Sequence, residues 1–211
     1  MRPKPIASAN ERRNYQKYAN PNPLQRWLLN RFQRRVAHLV AFSVDQMGAL
    51  PCILDVGCGE GYVLEYLRGR VPHIFLCGVD WDRGALELAR AANGDIPYHC
   101  GDALNLPFAD GSFDLVMCLE VLEHLESPWL ALDELRRVSR RDLLVSVPNQ
   151  PLFSLANFLR GKNWPTWGED PEHVQHWRGK SFVSLIGERL PIRRVVYSFP
   201  WVIVLASAEN K

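Results

Sequence analysis

Residues Ile53 to Gly61 read I-L-D-V-G-C-G-E-G, an apolar run that ends in an acid and then places glycine at alternate positions, Gly57, Gly59 and Gly61. This is how a buried parallel strand turns sharply toward a helix over a ligand, because residues without Cβ let backbone approach what binds there. Spacing excludes two nucleotide-binding patterns. A dinucleotide fingerprint would set its third small residue at position 62, which is Tyr62, and no Gly-Lys-Ser/Thr tripeptide follows to make a phosphate-cradling loop. What remains is Asp55-x-Gly57-x-Gly59-x-Gly61, the opening of an α/β unit or a Gly-rich turn with no ligand.

After Gly48 the chain alternates strand-like and helix-like segments, as a parallel sheet requires. The expected strands are Cys52 to Val56, His73 to Asp80, Tyr98 to Cys100, Phe113 to Leu119 and Asp142 to Val147. Helices are expected from Gly61 to Arg68, from the Asp82 cap to Asn93, and from Pro128 to Val138. Lys180 to Arg189 reads as a further helix, and Ile192 to Ser198 with Trp201 to Ala206 as a closing hairpin about Phe199-Pro200. Between Asn149 and Gly179 the composition changes to Trp164, Trp167, Trp177, His173 and His176 among prolines, too irregular for a crossover and too aromatic for a solvated linker. The length of 211 residues suits one such domain with appendages: residues 1–48 as a basic arm and cap helix, 49–211 as the domain, 149–179 as a substrate-facing insertion.

Leu24, Trp27, Leu28, Phe32, Val36, Leu39 and Val40 fall at helical steps with an Arg-rich opposite face, so this helix either packs on the sheet or lies on an anionic membrane surface. Residues 1–35 carry a net charge of +8 and the remainder −6. Such an arm can meet an anionic partner. Five cysteines without a Cys-x-x-Cys pair suggest a reducing compartment and no zinc knuckle, and the absence of a signal pattern suggests a cytoplasmic protein, with peripheral membrane contact through the basic arm as its alternative.

Nineteen residues after Gly61 a strand ends in Asp80, where a carboxylate can accept both hydroxyls of an adenosine ribose. Cys100 to Phe108 sets Asp102 and Ala103 ahead of a Leu-Pro-Phe turn, and an acid there can accept from an adenine amine. Phe113 to Leu125 closes the series with Leu119-Glu120-Val121-Leu122-Glu123-His124. From Ile53 to Pro148 these stretches resemble, in order and spacing, the motifs of the class I S-adenosylmethionine-dependent methyltransferases. The resemblance implies a Rossmann-like α/β fold with a seven-stranded, mostly parallel sheet, an antiparallel last strand and helices on both faces. It also implies S-adenosylmethionine as cofactor and S-adenosylhomocysteine as product. Gly57, Gly59 and Gly61 would pass the methionine part, Asp55 would support the loop, Asp80 would hold the ribose, Asp102 would read adenine with Ala103 and Leu119 nearby, and Trp81 would lie against the ring or in the core.

Methyl transfer from a sulfonium needs alignment and desolvation, and a base only where the nucleophile is protonated. His124 is the candidate base for a hydroxyl acceptor, since histidine exchanges protons near neutral pH. If Glu120, Glu123 and His124 share a helical turn, they converge on one point. That cluster resembles the metal-dependent O-methyltransferases of ubiquinone synthesis and of small-RNA 3′ ends, with a fourth ligand from His173 or His176. A Mg²⁺ site, a metal-free His124 base and a loop brace stay open, the metal being the least favoured. The Pro-Asn-x-Pro stretch with Glu172-His173-Val174-Gln175-His176-Trp177 is similar to bacterial methyltransferases of envelope and natural-product pathways. Tyr15, Tyr18, Asn149, His173 and His176 are the candidate acceptor-facing residues, and residues 1–23 are expected to fold over the cofactor. The acceptor expected is small or lipid-linked and methylated on oxygen. A nucleic-acid acceptor is disfavoured because Pro148-Asn149-Gln150-Pro151 departs from the base amino-methyltransferase signature, which leaves RNA 2′-O-methylation and a non-catalytic accessory subunit as alternatives.

Overall fold

The computed structural model describes residues 18, 20–45, 47, 50–159 and 173–209. The strands are β1 (Cys52–Val56), β2 (Phe75–Asp80), β3 (Tyr98–Cys100), β4 (Phe113–Leu119), β5 (Ser139–Pro148), β6 (Ile192–Ser198) and β7 (Trp201–Ser207). They form one sheet of order β3-β2-β1-β4-β5-β7-β6. β1 pairs in parallel with both β2 and β4, whereas β7 runs antiparallel to its neighbours β5 and β6. Strand order therefore reverses beside β1, which opens a crevice at the carboxyl ends of β1, β2 and β4.

Apolar residues on both faces of the strands explain the layering. Ile53, Leu115, Met117, Leu144, Ile203 and Leu205 enter one core, while their neighbours Leu54, Val116, Cys118, Leu143, Val145, Val202 and Val204 enter the other. The first core is covered by α1 (Pro23–Val44), α2 (Tyr62–Arg68) and α3 (Arg83–Ala92), the second by α4 (Pro128–Val138) and α6 (Gly179–Gly187). The expected fold, with its closing hairpin, is present.

The bounds differ in informative ways. β2 begins at Phe75 because His73 has φ of 58°, outside the extended region. β5 begins at Ser139, three residues early, because Ser139 already pairs in parallel with Phe113 at the start of β4. The stretch after Pro148 is more regular than its composition suggests: α5 (Leu152–Leu159) occupies its first part. Trp164 and Trp167 lie outside the described residues.

α1 is capped by Asn22, whose side chain accepts from Leu24 N–H at 2.9 Å and Gln25 N–H at 3.2 Å. Most of its apolar stripe is spent on the sheet: Leu28, Phe32, Val36, Leu39 and Val40 are buried, whereas Leu24 and Trp27 at its start are each 52 % exposed. At the far end Ser43 Oγ donates to the buried Asp142 carboxylate at 2.6 Å, and Arg193 pairs with the same oxygen. No helix among the described residues is long and apolar enough to cross a membrane. If α1 is part of the core, Phe32→Ala should lower unfolding free energy by about 3–5 kcal/mol in urea titration, and Leu24→Ala by less than about 0.5 kcal/mol. Equal small losses would make the helix a detachable arm.

Candidate functional site

The loop after β1 holds its shape through the tip of β2. Val79 C=O accepts from both Gly57 N–H (2.8 Å) and Cys58 N–H (3.1 Å), and the Asp80 carboxylate accepts from Gly59 N–H at 2.7 Å. Gly57, Gly59 and Gly61 all have positive φ, at 76°, 54° and 80°. At two of them packing adds a second reason for glycine: a Cβ on Gly57 would stand 2.3 Å from Val121 Cγ2, and one on Gly61 2.5 Å from Tyr98 Oη. The loop is thus packed against Val121 and Tyr98, which local sequence does not single out as its partners. The grip on its amides comes from Val79 and Asp80 rather than from Asp55.

Asp55 is 3 % exposed at the end of β1, and burial together with the charge of Asp80 raises its pKa to about 8. Asp80, 8 % exposed, has its other oxygen accepting from Asp82 N–H at 2.8 Å. Burial raises its pKa, with these backbone N–H groups opposing. Trp81 is 79 % exposed, so a place in the core is excluded and its indole faces are open beside Asp80. Asp102 is exposed and accepts from Leu104 N–H at 2.9 Å, which rigidifies the turn that presents it; Ala103 is partly buried behind it. Leu119 is buried at the end of β4.

Glu120, Glu123 and His124 do not share a helical turn. Glu120 has φ of 60° and leaves β4 in the left-handed region, its N–H donating to Ser146 C=O and its carboxylate accepting from Ser146 Oγ at 3.0 Å. The chain must reverse there to set Val121 against Gly57, and only then comes one 3-10 turn, Leu122–His124. The group that does assemble is Glu123, His124 and His173, with one ligand atom from each lying within 4.8 Å of the others. The His124 and His173 rings are 4.9 Å apart, Phe153 of α5 is 5.5 Å from His173, and Glu123 is 1 % exposed. Glu123 C=O accepts from Val174 N–H and Gln175 N–H, and Gln175 Nε2 donates to Leu125 C=O, so the returning segment is tied down over this turn.

Tyr18 stacks on Tyr62, ring centres 4.3 Å apart, and its phenol pKa is pushed up by burial and by the carboxylates of Asp55 and Glu120. It thus sits against the start of α2, just after the loop. Tyr15 and the rest of residues 1–17 lie outside the described residues. Asn149 accepts from Gly179 N–H at 2.7 Å, anchoring the start of α6, and His176 is exposed. Tyr62 and Phe153 were not legible as site residues, because each reaches the site only through a partner distant in sequence.

These residues fit the cofactor that the resemblance implies. The positive-φ loop, the buried carboxylate at the β2 tip, the open indole next to it and the acid after β3 lie in chain order around the crevice. Two outcomes test the fit. Asp80→Ala should weaken S-adenosylhomocysteine binding in calorimetry by roughly 1.5–3 kcal/mol. Asp55, being protonated in the fold at pH values where it is charged when unfolded, subtracts stability as pH rises from about its unfolded value toward about 8. Asp55→Asn removes that titration, so the stability of the variant relative to the parent should rise between pH 5 and pH 8 by at least about 1.4 kcal/mol, one pKa unit's worth. A pH-independent difference would show that Asp55 is ionised in the fold.

A family model described as a methyltransferase domain matches residues 54–145. The chain is 30 % identical over 139 residues to a malonyl-[acyl-carrier protein] O-methyltransferase of Hahella chejuensis, covering 64 % of this chain and 50 % of that protein. It is 35 % identical over 89 residues to a demethylmenaquinone methyltransferase of Thermotoga maritima, covering 42 % and 39 %. Among solved structures, magnesium protoporphyrin IX methyltransferase from Synechocystis with bound S-adenosylhomocysteine superposes with a TM-score of 0.68 at 20 % identity, covering 91 % of each chain. The chain thus spans half or less of the length of these two curated relatives, while its fold accounts for most of the solved one.

Proposed function

Because this chain belongs to the class I S-adenosylmethionine-dependent methyltransferases, we propose that it methylates a hydroxyl of a small or lipid-linked acceptor, with His124 as the base. The observation that carries this reading is the His124–His173 pair above a buried Glu123, with exposed apolar side chains in the same segments. Leu152 and Leu155 share α5 with Phe153, Val174 follows His173, and Trp129 and Leu130 follow His124 in chain order, all of them 38–55 % exposed. Exposed apolar side chains in the segments that carry the proton-accepting groups suit a lipophilic alcohol or enol. Relatives named for demethylmenaquinone and for malonyl-[acyl-carrier protein] support a small or lipid-linked acceptor.

The bound cofactor supplies an electrophilic methyl on a charged sulfur, already activated. The residues of the chain do the rest. Asp80 and Asp102 orient the nucleoside, Tyr18 on Tyr62 covers the loop and excludes water, and the Glu123 carbonyl holds residues 173–175 over the crevice. His124 takes the hydroxyl proton as the acceptor oxygen attacks, and His173 beside it fixes the ring's orientation.

His124→Ala should lower turnover by roughly 10²–10⁴-fold with a quinol-type acceptor while S-adenosylhomocysteine affinity is unchanged. Turnover that survives in this variant would return His124 to a bracing role. A second reading is favoured by the close Glu123, His124 and His173 ligand atoms: a divalent ion that lowers the acceptor's pKa. Two imidazoles and one carboxylate suit a zinc-like ion better than Mg²⁺, which prefers oxygen ligands. Titration with Co²⁺, followed by its visible absorption in the parent and in His173→Ala, decides between them, with chelator inhibition of turnover as the second readout.

A further inference from the structure

The basic character of the N-terminal region has no part in the reaction above, yet the structure gives it a defined face. On α1, Leu24, Trp27, Arg31, Arg34, Arg35 and His38 fall within one stripe turned away from the core, which ends at the partly buried Phe42 and is roughly 27 Å long. Leu24 and Trp27 are each 52 % exposed, and Arg31 lies over the Trp27 ring. At the other end, Arg35, His38, Leu39 and Phe42 meet Arg194 and Val196 of the edge strand β6 around a pocket of about 260 Å³. The two arginines of β6 are used differently. Arg193 is neutralised by Asp142, whereas Arg194 lies 3.9 Å over the Phe42 ring, and among the described residues neither it nor Arg31, Arg34 or Arg35 forms an ion pair with a carboxylate.

We propose that this stripe is a docking face for a bilayer of anionic phospholipid, with Arg35, His38 and Arg194 seating a lipid phosphate and Leu24 and Trp27 entering the headgroup layer. Guanidinium groups pair with phosphate, and tryptophan collects at the membrane interface. The exposed Leu24 at the same stripe favours a bilayer over a nucleic acid, whose backbone offers it no apolar contact. The stripe follows in the chain from Tyr18, which stacks on Tyr62 just after the Gly loop and is six residues before Leu24. A chain docked in this way meets the layer from which a lipophilic acceptor comes, and in this respect the proposal deepens the reading of the acceptor.

The test uses the full chain without cofactor or acceptor, so its failure leaves the methyl-transfer reading standing. In sedimentation with phosphatidylcholine vesicles, with and without phosphatidylglycerol, the chain should bind only the anionic vesicles, and less as salt rises. Each basic residue at such a surface changes partitioning by roughly fivefold, so R35Q/R194Q should lower it roughly 25-fold, and Trp27→Ala should lower it as well. R83Q/R178Q, which removes the same charge from other surfaces, should leave it unchanged. Thermal midpoint and S-adenosylhomocysteine affinity establish that the variants are folded, and R34Q/R35Q takes the place of R35Q/R194Q if the latter fails that check. Equal loss in R83Q/R178Q, equal binding to neutral vesicles, or binding to single-stranded RNA or an acidic carrier protein without binding to vesicles would each overturn the proposal.

Discussion

One buried carboxylate ties the site together. Asp80 ends β2 and accepts from Gly59 N–H on the neighbouring loop and from Asp82 N–H on its own, so the Gly loop and the start of α3 are referred to the same two oxygens. Asp82 in turn caps α3 through Gly84 N–H and Ala85 N–H. Hydrogen bonds to a charged acceptor in a dry setting are strong, and here they offset part of the burial that disfavours the charge. The loop's positive-φ conformations persist because this carboxylate and the Val79 carbonyl hold them.

A second constraint acts from the opposite side of the crevice. Glu120 adopts φ of 60° so that β4 can stop and Val121 can pack where Gly57 has no side chain. That reversal parts Glu120 from Glu123 and gives it to Ser146 on β5. The same reversal turns Glu123 inward and sets His124 toward the segment returning from the insertion, where His173 meets it. The Gly loop and the His124–His173 pair are thus coupled through two adjacent residues, Glu120 and Val121. Tyr18 adds a ring stacked on Tyr62, its phenol within the influence of Asp55 and Glu120 from the two sides.

The parallel strands, their order of appearance and the helices between them were legible in the sequence, since each strand is a short apolar run bounded by turn residues and each helix keeps a single apolar stripe. Asp55, the three glycines, Asp80 and Asp102 were legible for the same local reason: they sit where strands end, and strand ends are written in sequence. Periodicity alone left α1 with two destinations, membrane or sheet, because an apolar stripe does not specify what covers it. Burial of Phe32, Val36 and Val40 decided for the sheet and left the arginine stripe as the face to be explained. Glu120, Glu123 and His124 show the opposite failure. Their spacing has the right period for a helix, but the backbone between them is decided by the need to pack Val121 on Gly57, more than sixty residues away in sequence. The pairing of His124 with His173, of Tyr18 with Tyr62, and of Arg194 with the α1 stripe likewise arises only when distant segments meet, and no local pattern encodes which of several histidines or arginines will be brought together.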